Sequence, residues 1–198
     1  MVVLVTGFEP FGGDAVNPTQ EIVHALPARE GQAEIVKLVL PVEFVRGPEE
    51  AVSEIRRIRP DAVICLGLAG GREAVTPERT AVNVMDARIP DAAGYRPKDQ
   101  AIRPGEREAY FTALPYRAMI EAVKAEGVPA KLSESAGTYV CNCLMYEVLR
   151  LRAQEGLKIP CGFVHVPYLD TMGKDGQPSL SLDEMVRAVL ACIRTLAA

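Results

Sequence analysis

Cys141 stands in the segment SAGTYVCNC, in the first turn of a helix as the pattern reads. Unpaired backbone N–H groups and the helix dipole favour a thiolate there. The same N–H groups can hold an oxyanion. A thiolate nucleophile needs a base, and something to orient that base. The chain has two histidines. His24 lies mid-helix in EIVHALP and reads as a surface or helix-end residue. His165 ends an apolar strand in FVHVPY and is the only plausible base, although alone it reads equally well as a satisfied structural residue. The orienting acid stays open at this point, because carboxylates are many and spacing selects none. Cys143 does not complete a metal pair with Cys141: residues two apart on a helix point ~200° apart, and no CxxC is present. Cys143 reads as core.

The glycine-rich turn GFEPFGG at residues 7–13 lacks the lysine–serine/threonine ending of a P-loop and the GxGxxG spacing of a dinucleotide fold. Phe8 and Phe11 suit an apolar pocket better than a phosphate cradle, with packing of both into the core as the plainer alternative.

These residues must be positioned by an alternation of strands and helices. Residues 2–6, 34–40, 62–67 and 161–167 read as strands, the first and third as continuous apolar runs of the kind buried on both faces of a parallel sheet. Helices are expected near 17–26, where Asn17-Pro18 supplies a cap and a first-turn proline, and near 48–58, 115–126 and 139–154. A last helix over 181–196 opens on a Ser181/Glu184 capping-box pattern. Residues 74–84 read as extended, and 130–133 as a short strand. Residues 86–105, rich in proline and poor in large apolar side chains, form a long excursion. The pattern specifies one α/β domain over 1–198, a mostly parallel twisted sheet with helices on both faces. Ligands in such folds bind beyond the carboxyl ends of strands.

Composition narrows the function. Net charge is −4, the basic residues are scattered, and no nucleic-acid footprint is present. No stretch approaches the roughly 18 apolar residues of a membrane helix, and the first residues do not read as a signal peptide. A cytoplasmic protein with five free cysteines is expected.

Four segments then resemble the pyroglutamyl peptidase I (pyrrolidone carboxyl peptidase) family in order and spacing: TGFEPFGGDAVN from Thr6, GGREAVTPERTAVN from Gly70 continuing to DARIPD, SESAGTYVCN from Ser133, and GFVHVPYL from Gly162. The resemblance implies a cysteine peptidase acting on peptides with an N-terminal pyroglutamate. It places the nucleophile at Cys141, the histidine at His165 and the third member at Glu78. It further implies an oxyanion role for Arg88, and a substrate pocket from Phe8, Phe11, Asn17 and Tyr139. It implies no metal or organic cofactor and a homo-oligomer, tetramer or dimer. Leu68 departs from it, standing where many relatives carry a glutamine that can bond the lactam; Thr80 and Cys143 also differ. A related cysteine amidase acting on another small amide, and a nucleotide-binding α/β module without the reaction, are the competing readings.

Overall fold

The apolar runs that read as buried strands lie side by side. The computed structural model describes residues 1–196. Along the chain run β1 (Val2–Phe8), α1 (Pro18–Ala25), β2 (Arg29–Glu30), β3 (Ala33–Leu40), α2 (Arg46–Ile58), β4 (Ala62–Leu68), β5 (Thr76–Pro77), β6 (Thr80–Val82), β7 (Ala109–Phe111), α3 (Tyr116–Ala125), α4 (Val140–Gln154), β8 (Cys161–Val166), β9 (Tyr168–Leu169), β10 (Ser179–Leu180) and α5 (Leu182–Arg194). The main sheet has the order β2-β3-β1-β4-β8-β5. β3, β1, β4 and β8 are parallel, and the two-residue edges β2 and β5 are antiparallel.

Side chains alternate faces along a strand. Val3, Val5, Ala62, Ile64, Leu66, Val164 and Val166 enter the core under α1, α3 and α5. Leu4, Val63, Cys65, Cys161 and Phe163 enter the core under α2 and α4. The same parity carries Gly67 and His165, register partners across β4 and β8, to the α4 face. That alternation, set by sequence, brings the histidine to α4, whose second residue is Cys141.

Most expected elements form, with local differences. α2 begins at Arg46 rather than 48. The strand expected over 130–133 is reduced to two isolated bridges, Val75↔Ala130 and Glu78↔Ser133. Pro77 lies between them and has no N–H to continue the ladder. α5 has the expected box, with the Ser181 hydroxyl accepting from Glu184 N and the Glu184 carboxylate accepting from Ser181 N. Asn17 caps α1, its Oδ1 accepting from Thr19 N at 3.0 Å. Among the described residues no helix is long and apolar enough to cross a membrane.

The excursion at 86–105 is fastened at both ends. Met85 and Gln100 exchange backbone hydrogen bonds, and Ala87 N donates to Pro97 O. The Asp91 carboxylate accepts from Phe44 N, Ala93 N and Tyr95 N. Asn142, next to Cys141, ties α4 to the start of this segment. It accepts from Val82 N at 2.9 Å and donates to the carbonyls of Val82 and Val84. Asn142 is fully buried, so Asn142→Ala strands those backbone groups, each at a cost of about 1–3 kcal/mol. Urea unfolding should show Asn142→Ala less stable by about 3 kcal/mol. An unchanged midpoint would mean that these bonds do not hold the segment.

Candidate active site

His165 sits one residue before the end of β8, with its ring tilted against Phe163 at 4.8 Å between centroids. Its Nδ1 lies 2.7 Å from Glu78 Oε1. β5 makes this contact possible: Thr76 pairs with His165 in antiparallel register, and Glu78 N then donates to Phe163 O at 2.9 Å. Glu78 has no solvent exposure and His165 is 4% exposed.

The same carboxylate oxygen accepts from Arg72 Nη1 at 2.6 Å, and Arg72 also donates to Thr76 Oγ1 at 2.5 Å. Glu78 Oε2 has no hydrogen-bond partner among the described residues. The nearby Ser133 hydroxyl donates instead to Ser135 O, over a long 3.4 Å. Burial would raise the Glu78 carboxyl, but the hydrogen bond and charge of His165, with Ser133 and Arg72 beside it, hold it below the ordinary carboxylate range. Burial lowers His165, and the partly neutralised Glu78 recovers only part of that. The resting imidazole is therefore neutral at neutral pH. With Nδ1–H donated to Glu78, the tautomer that the hydrogen bonding assigns leaves Nε2 free as the acceptor.

Cys141 is the second residue of α4, after an extended Tyr139 cap whose side chain bonds none of the first-turn N–H groups. Its sulfur rests directly over Gly67. A Cβ at Gly67 would lie 2.9 Å from Sγ and 2.6 Å from the Phe163 ring, so only glycine lets the thiol approach the sheet beside His165. The helix terminus favours a thiolate, and burial opposes it. Burial, and then the Glu78 charge, push the thiol up to about 12, against the smaller opposing effects of its own backbone N–H and Arg72.

Two adjoining cavities meet at Cys141. The larger, about 1090 Å³, takes in His165, Arg72, Arg88, Arg96 and the turn at 135–138. The smaller, about 260 Å³, is lined by Phe8, Phe11, Val42, Leu68, Tyr139 and Tyr168, with Asn17 at its edge. Phe8 is 2% exposed and belongs to the core as well as the cavity wall. Phe11 stacks on Tyr139 at 5.6 Å, and Phe44 meets Tyr139 edge-on at 5.2 Å. The Tyr139 hydroxyl, pushed up to about 12 by burial and then by Asp91 and Cys141, donates to Pro90 O. The Asn17 amide is largely spent on its cap and on Glu9 O. Leu68 lies at the seam of the two cavities.

Of the site residues expected from the sequence, all but Glu78 line one of the two cavities, and Glu78 lies buried behind His165. His24 is exposed on α1, and Cys143 is buried, donating its S–H to Phe44 O. Sequence reasoning missed Arg72, Gly67 and Tyr168. Arg72 lies in the GGREAV segment, six residues before the carboxylate it pairs with, a spacing that reads as an ordinary loop. Tyr168 fits because Gly70 has no side chain; a Cβ there would lie 2.2 Å from the tyrosine oxygen.

A sequence model of the family described as pyroglutamyl peptidase matches residues 1–198. The pyrrolidone-carboxylate peptidase of Levilactobacillus brevis is 47% identical over 99% of this chain and 97% of its own. The crystal structure of pyroglutamyl peptidase I from Bacillus amyloliquefaciens superposes with a TM-score of 0.96 at 40% identity, covering 100% of this chain and 95% of that one. Pyrrolidone carboxyl peptidase from Thermococcus litoralis gives 0.95 at 39% identity, with 99% and 93% covered.

The electrostatics of the histidine can be measured directly, because with two histidines the ring-proton NMR signals are readily assigned. His165 should titrate below about 6.5, the value of an unperturbed histidine. Arg72→Gln leaves the Glu78 charge unshared, so the His165 pKa should move upward. A wild-type value at or above about 6.5, or no upward movement in the variant, would contradict the charge sharing.

Proposed function

This chain belongs to the pyroglutamyl peptidase family, and we propose that it hydrolyses the amide bond after an N-terminal pyroglutamyl residue with Cys141 as nucleophile, His165 as base and Glu78 as the group orienting the imidazole. The observation that carries this reading is that Cys141 from α4 and His165 from β8 line one cleft, with His165 held at 2.7 Å from the buried carboxylate of Glu78, which follows β5.

The smaller cavity takes the lactam. Phe8, Phe11 and Tyr139 give it apolar walls suited to a neutral ring. The ring N–H and C=O still need partners, since a buried unpaired polar group costs about 1–3 kcal/mol. Leu68 offers no polar group, so that task falls to backbone groups and to the one Asn17 N–H that the cap leaves free. Proline has the ring shape without the ring carbonyl, and a site built to bond that carbonyl rejects it.

Cys141 Sγ attacks the pyroglutamyl carbonyl carbon while its proton passes to His165 Nε2. The carbonyl oxygen becomes an oxyanion facing the first-turn N–H groups of α4, including that of Cys141, with Arg88 lining the same cavity. On collapse the C–N bond breaks and His165 returns the proton to the departing amine. Water, activated by the neutral imidazole, then hydrolyses the thioester and frees pyroglutamate. Glu78 holds the tautomer and stabilises the imidazolium.

The test is release of a fluorogenic amine from its pyroglutamyl conjugate beside the prolyl conjugate, with and without iodoacetamide. Cleavage of the pyroglutamyl compound alone, abolished by the alkylating agent and reduced at least about a thousandfold in Cys141→Ser, is expected. Cleavage of other small amides in its place would favour the cysteine-amidase alternative, and normal turnover by Cys141→Ser would refute the assignment. Gly67→Ala forces the sulfur away from the sheet, and a displacement near 1 Å should cost about a hundredfold in kcat/KM. Activity within a few-fold of wild type would show that the close approach is dispensable.

A further inference from the structure

We propose that the larger half of the cleft is a subsite for an anionic leaving peptide, one carrying a carboxylate close to the scissile bond, read by Arg96 with Arg88 on the excursion. The inference rests on the peptidase reading above and adds the charge of the leaving group to it.

The orientation follows from the proton. The group that protonates the departing amine is His165, which faces the larger cavity and not the smaller one. The leaving peptide therefore extends over the larger cavity. Its lining carries the cations Arg72, Arg88, Arg96 and Lys98 against a single carboxylate, Asp86. Arg72 is engaged with Glu78, and Lys98 pairs with Asp86 at 3.2 Å. Among the described residues, Arg88 and Arg96 have no ion-pair partner. The cations stand out in a chain whose net charge is −4.

The guanidinium of Arg96 is also held in place. Its Nε donates to Ala87 O at 3.2 Å, across a loop already closed by Ala87 N to Pro97 O. The terminal amino groups make no hydrogen bond among the described residues, and such a free guanidinium edge suits a carboxylate. A carboxylate can come from the C-terminus of a short leaving peptide or from an acidic side chain. Both present the same chemistry, and the measurement separates them.

The experiment compares kcat/KM within two matched pairs. The first is pyroglutamyl-alanyl-alanine with a free C-terminal carboxylate against its C-terminal amide. The second is pyroglutamyl-glutamyl-alaninamide against pyroglutamyl-glutaminyl-alaninamide. At low salt the anionic member of at least one pair should be favoured about two- to fivefold, the range of exposed charge pairs. High salt and Arg96→Gln should each bring that ratio toward one. A preference confined to the first pair assigns the C-terminal carboxylate; one confined to the second assigns the side chain. Equal rates within both pairs, or a preference untouched by Arg96→Gln, would overturn the subsite while leaving the peptidase intact. Failure to cleave any of the peptides would overturn the peptidase reading and the subsite with it.

Discussion

A carboxylate with no solvent exposure is tolerable only if its charge is met, and the site is arranged around meeting the charge of Glu78. One of its oxygens serves two donors, His165 Nδ1 and Arg72 Nη1, at 2.7 and 2.6 Å. The demand runs in both directions. Glu78 fixes which nitrogen of His165 carries the proton, and so leaves the other free to accept one. Arg72 takes a share of the same charge, which limits how far Glu78 can raise the imidazole. An unshared carboxylate would raise the imidazole. The two-residue edge strand β5 is the structural cost of this arrangement: a short antiparallel stretch on a parallel sheet, needed to bring Glu78 level with β8.

Cys141 divides the cleft into two chemically different halves. On one side aromatic rings close a small space; on the other, arginines and the imidazole line a wide one. The division follows from chain connectivity. The aromatic walls come from the turn after β1 and from Tyr139, while the charged wall comes from the excursion and the turn after β4. Both meet at the first turn of α4 because Gly67 lets the sulfur sit directly against the sheet.

The parts of this that the sequence made legible are those governed by short-range rules. The buried strands, the Asn17 cap and the Ser181/Glu184 box are local patterns, and each formed. His165 was legible as the end of an apolar strand, and strand parity then delivers it to α4. Glu78 was not legible from spacing, because nothing local distinguishes it from other carboxylates; only the resemblance singled it out. Arg72 and Gly67 stayed hidden for the same reason, since their roles exist only once β4, β5 and β8 are side by side. The electrostatics of Cys141 were legible only in part: a helix terminus is visible in sequence, whereas the burial that opposes a thiolate belongs to the folded site.

The excursion at 86–105 is read better as a wall than as a gate. Its interior is closed by the Asp91 carboxylate, which satisfies three backbone N–H groups from two segments. Its base is held by the paired backbone bonds of Met85 with Gln100, and further on by Asn83 with Arg103 in both directions. Arg103 then reaches the buried Glu147 of α4 at 2.6 Å. The Tyr139 hydroxyl bonds Pro90 O, so a residue that lines the smaller cavity also pins the loop. Opening this segment as a unit would strand several buried polar groups together, each costly alone. Discrimination in such a cleft comes from the shape and charge of a standing surface. The same bonds that hold the wall also hold the first turn of α4, so the frame of the larger cavity and the frame that positions the sulfur are one.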